Sequence, residues 1–125
     1  MNSNNQISCL NLRKFKDLPQ ITIDLEHILS LQGDINYTIL TYLNPSGDIE
    51  SRKTSHTIGK YQALLPSDRF IRIHRNTILN TQYIKNLIED TVVETTDNKT
   101  HTISRRYKKI VLDNLKLHLD DSTKE

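Results

Sequence analysis

The stretch Phe70-Ile71-Arg72-Ile73-His74-Arg75-Asn76 concentrates donors that could do recognition chemistry. Apolar residues alternate with Arg72 and His74, as in a strand with one buried face. The strand delivers Arg72, His74 and Arg75 into a polar segment running through Asn76 and Asn80. Guanidinium groups held this way donate bidentately to guanine edges or grip phosphate oxygens, and asparagine amides serve either purpose. The same pattern describes a charged strand end whose arginines pair with Asp68 or Asp97. The residues alone leave both readings open.

Other chemistries find little material. The histidines at 27, 56, 74, 101 and 118 include no pair at a spacing of two, three or four and no HExxH arrangement, so they offer no metal-ligand motif. The single Cys9 excludes an internal disulfide and a thiolate zinc site, and it fits a reducing compartment. Gly33, Gly47 and Gly59 cannot supply a P-loop or a dinucleotide fingerprint. Asp24, Glu26, Asp34, Asp48 and Glu50 are carboxylates without a nucleophile or metal motif beside them. No catalytic residue, metal site or cofactor is expected, and the chain is not read as an enzyme. The start MNSNNQ lacks the features of a signal peptide, and no apolar run approaches the roughly 18 residues of a membrane span. A cytoplasmic protein without membrane insertion is expected.

The elements that must position Arg75 and its neighbours follow from composition and period. Ile, Leu, Val and Phe together make 36 of 125 residues, enough for one folded domain. The 15 Ile and 13 Thr against one Ala and one Met favour pleated surfaces over a helix bundle. Ile7 to Leu18 reads as a linker or an added strand. Ile21, Ile23 and Leu25 share one strand face, Ile28 to Gln32 forms a second strand, and Asn36 to Leu43 a longer one. Asn44 to Asp48 reverses the chain so that Ile49 to Lys53 returns as a hairpin partner. Thr54 or Ser55 is expected to cap a short helix with the stripe Ile58, Tyr61 and Leu65, ended by Pro66. Phe70 to Ile73 and Tyr83 to Glu89 read as strands around Asn76 to Gln82, which looks too polar for a core strand and is assigned a helical turn. Val92 to Thr95 and Lys99 to Ile103 form a last hairpin. Ser104 then caps a helix from Arg105 to about Leu119, with Tyr107, Ile110, Val111, Leu115 and Leu119 on its apolar side. The residues themselves give a β-rich domain with two hairpins, one short helix and a last helix near the C-terminus.

The formal net charge of +2 implies no nucleic-acid partner by itself, but its distribution is uneven. Arg52 to Arg75 holds six basic side chains against one acidic, and residues 101 to 112 hold four against none. A fold that joined these segments would show a basic face on a nearly neutral molecule.

At this point the residues resemble a known family. ALLPSDRFIRIHRNTILNTQYI is similar to the signature of the LytTR-type DNA-binding domain of bacterial transcription regulators. Upstream, LQGDINYTILTYL resembles that family's acidic-Gly-Asn-Tyr-Thr strand entry, and downstream TISRRYKKI resembles its Val-Ser-Arg-Arg-Tyr element. The likeness covers about residues 21 to 119, leaving 1 to 20 as an N-terminal extension or linker and 120 to 125 as a polar tail. Two departures stand out: Asn76 replaces the usual Ser, and Ile35 stands where the family commonly has Gly. A β-branched residue resists positive φ, so the Ile35 loop is expected to take another shape.

The resemblance implies a mostly β, elongated arrangement of antiparallel sheets with one or two short helices and a C-terminal helix, whose loops, rather than a recognition helix, enter successive major grooves of double-stranded DNA and often bend it. Carried over residue by residue, Asn36 and Tyr37, Arg75 and Asn76, and Arg105 and Arg106 face DNA, with Lys108 as a phosphate attractor beside Lys109. Tyr37 could instead pack. His74 is expected to hydrogen-bond inward and hold the turn, and Arg105 and Arg106 to follow Ser104 at a helix end favourable to phosphate. Family members commonly carry a receiver domain in front, for which about twenty residues leave no room, so a stand-alone regulator is expected. Two copies on repeated sites about one helical turn apart would supply sufficient contact. The competing reading is a degenerate member that pairs with another regulatory protein as an interaction or inhibitory module.

Overall fold

The structure is a computed structural model describing residues 7–123, with side chains described through Lys116. Its strands are β1 (Cys9–Leu12), β2 (Ile21–Asp24), β3 (Ile28–Asp34), β4 (Tyr37–Leu43) and β5 (Ile49–Thr54), followed by helix α1 (Ile58–Leu64). Then come β6 (Phe70–His74), β7 (Thr77–Asn80), β8 (Ile84–Ile88), β9 (Val92–Thr95), β10 (Thr100–Thr102) and helix α2 (Lys108–Thr123). Every pairing is antiparallel. A central sheet has the order β5-β4-β3-β7-β6, flanked by the pair β1-β2 and the sheet β10-β9-β8. The fold is mostly β, as composition indicated.

Consecutive residues of a strand face opposite sides of its sheet, and β6 and β7 use both. Phe70 and Ile78 join a core with Leu10, Leu12, Ile23, Leu31, Leu40, Tyr61 and Leu65, so β1-β2 and α1 cover this side. Ile71, Ile73 and Leu79 join a second core with Val93, Ile103, Val111 and Leu115, supplied by the three-stranded sheet and α2. Cover on both faces explains the unbroken burial of the Ile78-Leu79 pair.

That arrangement overturns the helical turn expected over Asn76 to Gln82. Thr77–Asn80 is strand β7, buried at all four positions, and only Thr81–Tyr83 forms a 3-10 turn. Asn80 tolerates burial because Nδ2 donates to the carbonyls of Leu25 and Ile28 at 3.3 and 2.9 Å and Oδ1 accepts from the Gln82 amide at 3.0 Å.

Smaller corrections concern caps and faces. The cap of α1 is Thr57, whose Oγ1 accepts from the Lys60 amide at 3.3 Å, rather than Thr54 or Ser55. Thr54 is buried and donates to the Thr38 carbonyl while accepting from Tyr61 Oη at 2.8 Å. Ser104 makes no side-chain cap: Arg105–Tyr107 is a 3-10 turn, and α2 begins only at Lys108. Ile110 is 70% exposed, so the buried stripe of α2 is Val111 and Leu115. Leu119 lies outside the side chains described. Leu25 sits fully buried in the 3-10 turn Leu25–His27 instead of ending a strand. The segment left as linker or strand resolves in part as a strand, with β1 pairing Leu10 to Ile23 and Leu12 to Ile21.

Candidate nucleic-acid interface

Register brings two of the expected segments together. Gln32 of β3 pairs with Thr77 of β7, and Asp34 pairs with Tyr37 of β4. The β3–β4 turn holding Ile35 and Asn36 therefore leaves the same end of the sheet as the β6–β7 turn holding Arg75 and Asn76. The Gly33 amide donates to the Asn76 carbonyl at 2.8 Å and ties them. A Cβ on Gly33 would sit 3.3 Å from the Ile58 side chain, so the close approach favours glycine.

Although a β-branched residue resists positive φ, Ile35 adopts φ 56°, the conformation suited to glycine. A β-branched side chain there costs about 1–2 kcal/mol. With 91% of its surface exposed, Ile35 gains no burial in return. Asn36 beside it is exposed. Tyr37 is half-buried: its ring meets Phe15 edge-on at 5.5 Å between centroids, and Lys53 Nζ lies 5.0 Å from its centroid.

Arg72 points back into the protein. Its Nε donates to the His74 carbonyl at 3.3 Å, Nη2 to the Arg75 carbonyl and Nη1 to Gln62 Oε1 on α1. The same guanidinium lies 5.9 Å from the Tyr107 ring centroid. Arg72 thus shapes the turn whose tip is Arg75. A register shift between Arg72 and His74 accompanies the turn. His74 Nδ1 accepts from the Asn76 amide at 3.4 Å, a weak local tie across the turn. Arg75 is exposed. The ion pairs among the described residues are Lys109–Asp113 and Lys116–Asp90. Pairing of arginines with Asp68 or Asp97 is therefore absent among them. Asp97 instead accepts from Thr95 Oγ1 and the Lys99 amide.

The third segment is anchored to β6. The Ser104 amide donates to the Ile73 carbonyl at 2.9 Å, next to the β6–β7 turn. Arg105 and Arg106 follow, both exposed, while Tyr107 supplies the ring beside Arg72. These arginines occupy the 3-10 turn before α2 rather than the first turn of a helix capped by Ser104. Lys108 is half-buried, and the exposed Lys109 lies 3.8 Å from Asp113.

A groove of about 400 Å³ runs between the β6–β7 turn and the β9–β10 hairpin, lined among others by Gln32, His74, Asn76, Thr100 and His101. His101 Nε2 lies 3.2 Å from Thr95 Oγ1, and burial pushes its pKa below the ordinary value. Residue types marked Arg72 as a donor for bases or phosphates, whereas its guanidinium is spent on the His74 and Arg75 carbonyls and on Gln62; the ring of Phe15 was not singled out. The one signal for Phe15 was a lone aromatic in a basic N-terminal segment.

Comparisons with known proteins point to one family. The profile of the LytTr DNA-binding domain matches residues 20–116. The sensory transduction protein LytR of Staphylococcus epidermidis is 32% identical over 73 residues, which is 49% of this chain but 29% of that protein, so the chain covers under a third of this relative. A solved LytTr DNA-binding domain from a Bacillus cereus protein superposes with a TM-score of 0.73 over 87% of this chain and 97% of that one, at 22% identity. Among the described residues no helix is long and apolar enough to cross a membrane.

Proposed function

We propose, from the premise that the chain belongs to the LytTr DNA-binding domain family, that it binds double-stranded DNA sequence-specifically and regulates transcription through loops at one end of its central sheet. The observation that carries this reading is the shared origin of three polar segments, which expose Asn36, Arg75, Arg105 and Arg106 and leave Tyr37 and Asn76 half-buried. Asn36 and Tyr37 leave β3 and enter β4, Arg75 and Asn76 join β6 to β7, and Arg105 and Arg106 follow the Ser104 amide bound to Ile73. In this reading Arg75 and Asn76 contact base edges in a major groove. Asn36 and Tyr37 meet the same stretch of duplex beside them, while Arg105, Arg106 and Lys108 hold phosphates. Loops entering successive grooves extend the footprint along one side of the duplex, and bending brings phosphates toward them. A second copy about one helical turn away adds the contact that one small domain lacks.

A fluorescence titration with a long mixed-sequence duplex at low and then moderate salt tests the DNA reading. Salt-dependent affinity supports it, and selection from a random duplex pool then yields the preferred site. Absence of binding at low salt contradicts it and favours the interaction module.

A further inference from the structure

The segment between β1 and β2 is built as a closed, basic loop beside Tyr37. Arg52, only 6% exposed, sends Nη2 to the carbonyls of Arg13 and Pro19 at 3.2 and 2.5 Å, so one buried guanidinium holds both ends of the loop. The tip is a tight turn in which the amides and carbonyls of Phe15 and Leu18 exchange hydrogen bonds at 3.0 and 2.8 Å, with Lys16 at φ 53°. Phe15 lays its ring edge-on to Tyr37 at 5.5 Å, and Lys16 Nζ lies 5.5 Å from the Phe15 centroid.

The chemistry this loop presents is cationic. Arg13, Lys14 and Lys16 are exposed, with Asp17 the one acid in the turn. The ion pairs among the described residues involve none of the three cations. Lys53 and Lys60 are exposed nearby, Lys53 over the Tyr37 ring. The charges of Lys60 and Arg13 reach His56, whose pKa is pushed down first by burial and then by these two cations. Burying an arginine without a carboxylate partner is costly. Here that buried charge fixes a loop whose exposed content is mainly positive, next to a tyrosine already placed at the proposed DNA face.

We propose that the Arg13–Leu18 loop is an additional DNA contact, a phosphate clamp in which Arg13, Lys14 and Lys16 hold the backbone flanking the bases approached by the Asn36–Tyr37 turn. It precedes the family match at residues 20–116. The inference rests on the DNA-binding reading and adds a contact to it. Phosphate oxygens suit the three cations, and no aromatic or amide group in the loop is free to read a base: the Phe15 ring is occupied by Tyr37.

The test compares the full chain with the triple variant Arg13→Gln, Lys14→Gln, Lys16→Gln on one long mixed-sequence duplex across a salt series. Circular dichroism confirms folding. The clamp predicts at least about tenfold weaker binding at low salt and a dependence of log affinity on log salt shallower by about 2 to 3 units. If the triple variant melts early, Lys14→Gln alone should flatten the slope by about one unit. A parent that binds while the folded variant shows the parent's affinity and slope overturns the clamp and leaves the DNA reading intact. Tighter binding by the variant also overturns it and would make the loop inhibitory. A parent that binds no duplex at any salt removes the DNA reading and the clamp with it.

Discussion

The guanidinium of Arg72 donates to the backbone carbonyl of Arg75, the residue at the tip of the turn that Arg72 precedes. With further bonds to the His74 carbonyl and Gln62, and with Tyr107 beside it, one side chain connects the turn, helix α1 and the segment of Arg105 and Arg106. Arg72 is therefore a positioning residue for the proposed interface.

Arg72→Lys keeps the charge but loses the planar fork that bonds several acceptors at once. Preference for a selected site over random duplex should fall about tenfold while the salt slope stays unchanged, because no phosphate contact is removed. A slope that flattens with unchanged preference would make Arg72 a phosphate contact instead.

The strained Ile35 gives a second expectation. Ile35→Gly relieves the side-chain clash at positive φ and sacrifices no packing, while raising the entropy of the unfolded chain. A net gain of about 0.5–1 kcal/mol should appear in urea unfolding. Loss of stability would mean that the side chain supports the turn.

Tyr61, 1% exposed, and Leu65, 5% exposed, belong to the core between α1 and the central sheet. Either alanine variant should cost about 2–5 kcal/mol by chemical denaturation. Tyr61→Phe should cost about 1 kcal/mol, since it removes only the hydrogen bond to Thr54. Equal losses for alanine and phenylalanine would place the stability in the hydroxyl rather than the ring.

Acid should weaken the fold through two half-buried histidines, His56 and His101. Burial lowers the His101 pKa below 6.5, against the pull of Asp97 and with help from Lys99. His56 is lowered from the same value by burial, Lys60 and Arg13. Between those lowered values and 6.5 the unfolded chain binds more protons than the folded one. Their neutral forms therefore impose no penalty above 6.5, and stability falls as pH drops through 6.5 toward the folded values. Urea midpoints of the parent against a His56→Gln, His101→Gln variant check this, the variant showing the flatter dependence over that window. An equal slope in both would assign the acid sensitivity elsewhere.

Hairpins were legible in the residues because alternation and Asn44–Asp48 mark them locally. Strand β7 was not, because what makes Asn80 acceptable in a core is the pair of carbonyls at Leu25 and Ile28, distant in the chain. Thr54 looked like a cap for the same reason: its partners Thr38 and Tyr61 are supplied by tertiary packing. Ser104 fits a cap by type, yet its hydroxyl is buried without a partner and its amide serves β6. The candidate site was nameable as three segments by resemblance, but their common origin depends on the β3–β7 register, and the inward direction of Arg72 on acceptors formed only once the turn exists.

The most direct measurement compares Arg75→Ala with Lys109→Ala on a site selected from a random duplex pool and on random duplex. Arg75→Ala should weaken binding to the selected site by about 1–3 kcal/mol and reduce the preference, because in the proposed reading the Arg75 guanidinium takes two acceptors on one base. Lys109→Ala should weaken both duplexes alike and flatten the salt dependence by about one unit, leaving the preference intact. A folded Arg75→Ala that binds both duplexes as tightly as the parent would contradict the turn's role in reading DNA.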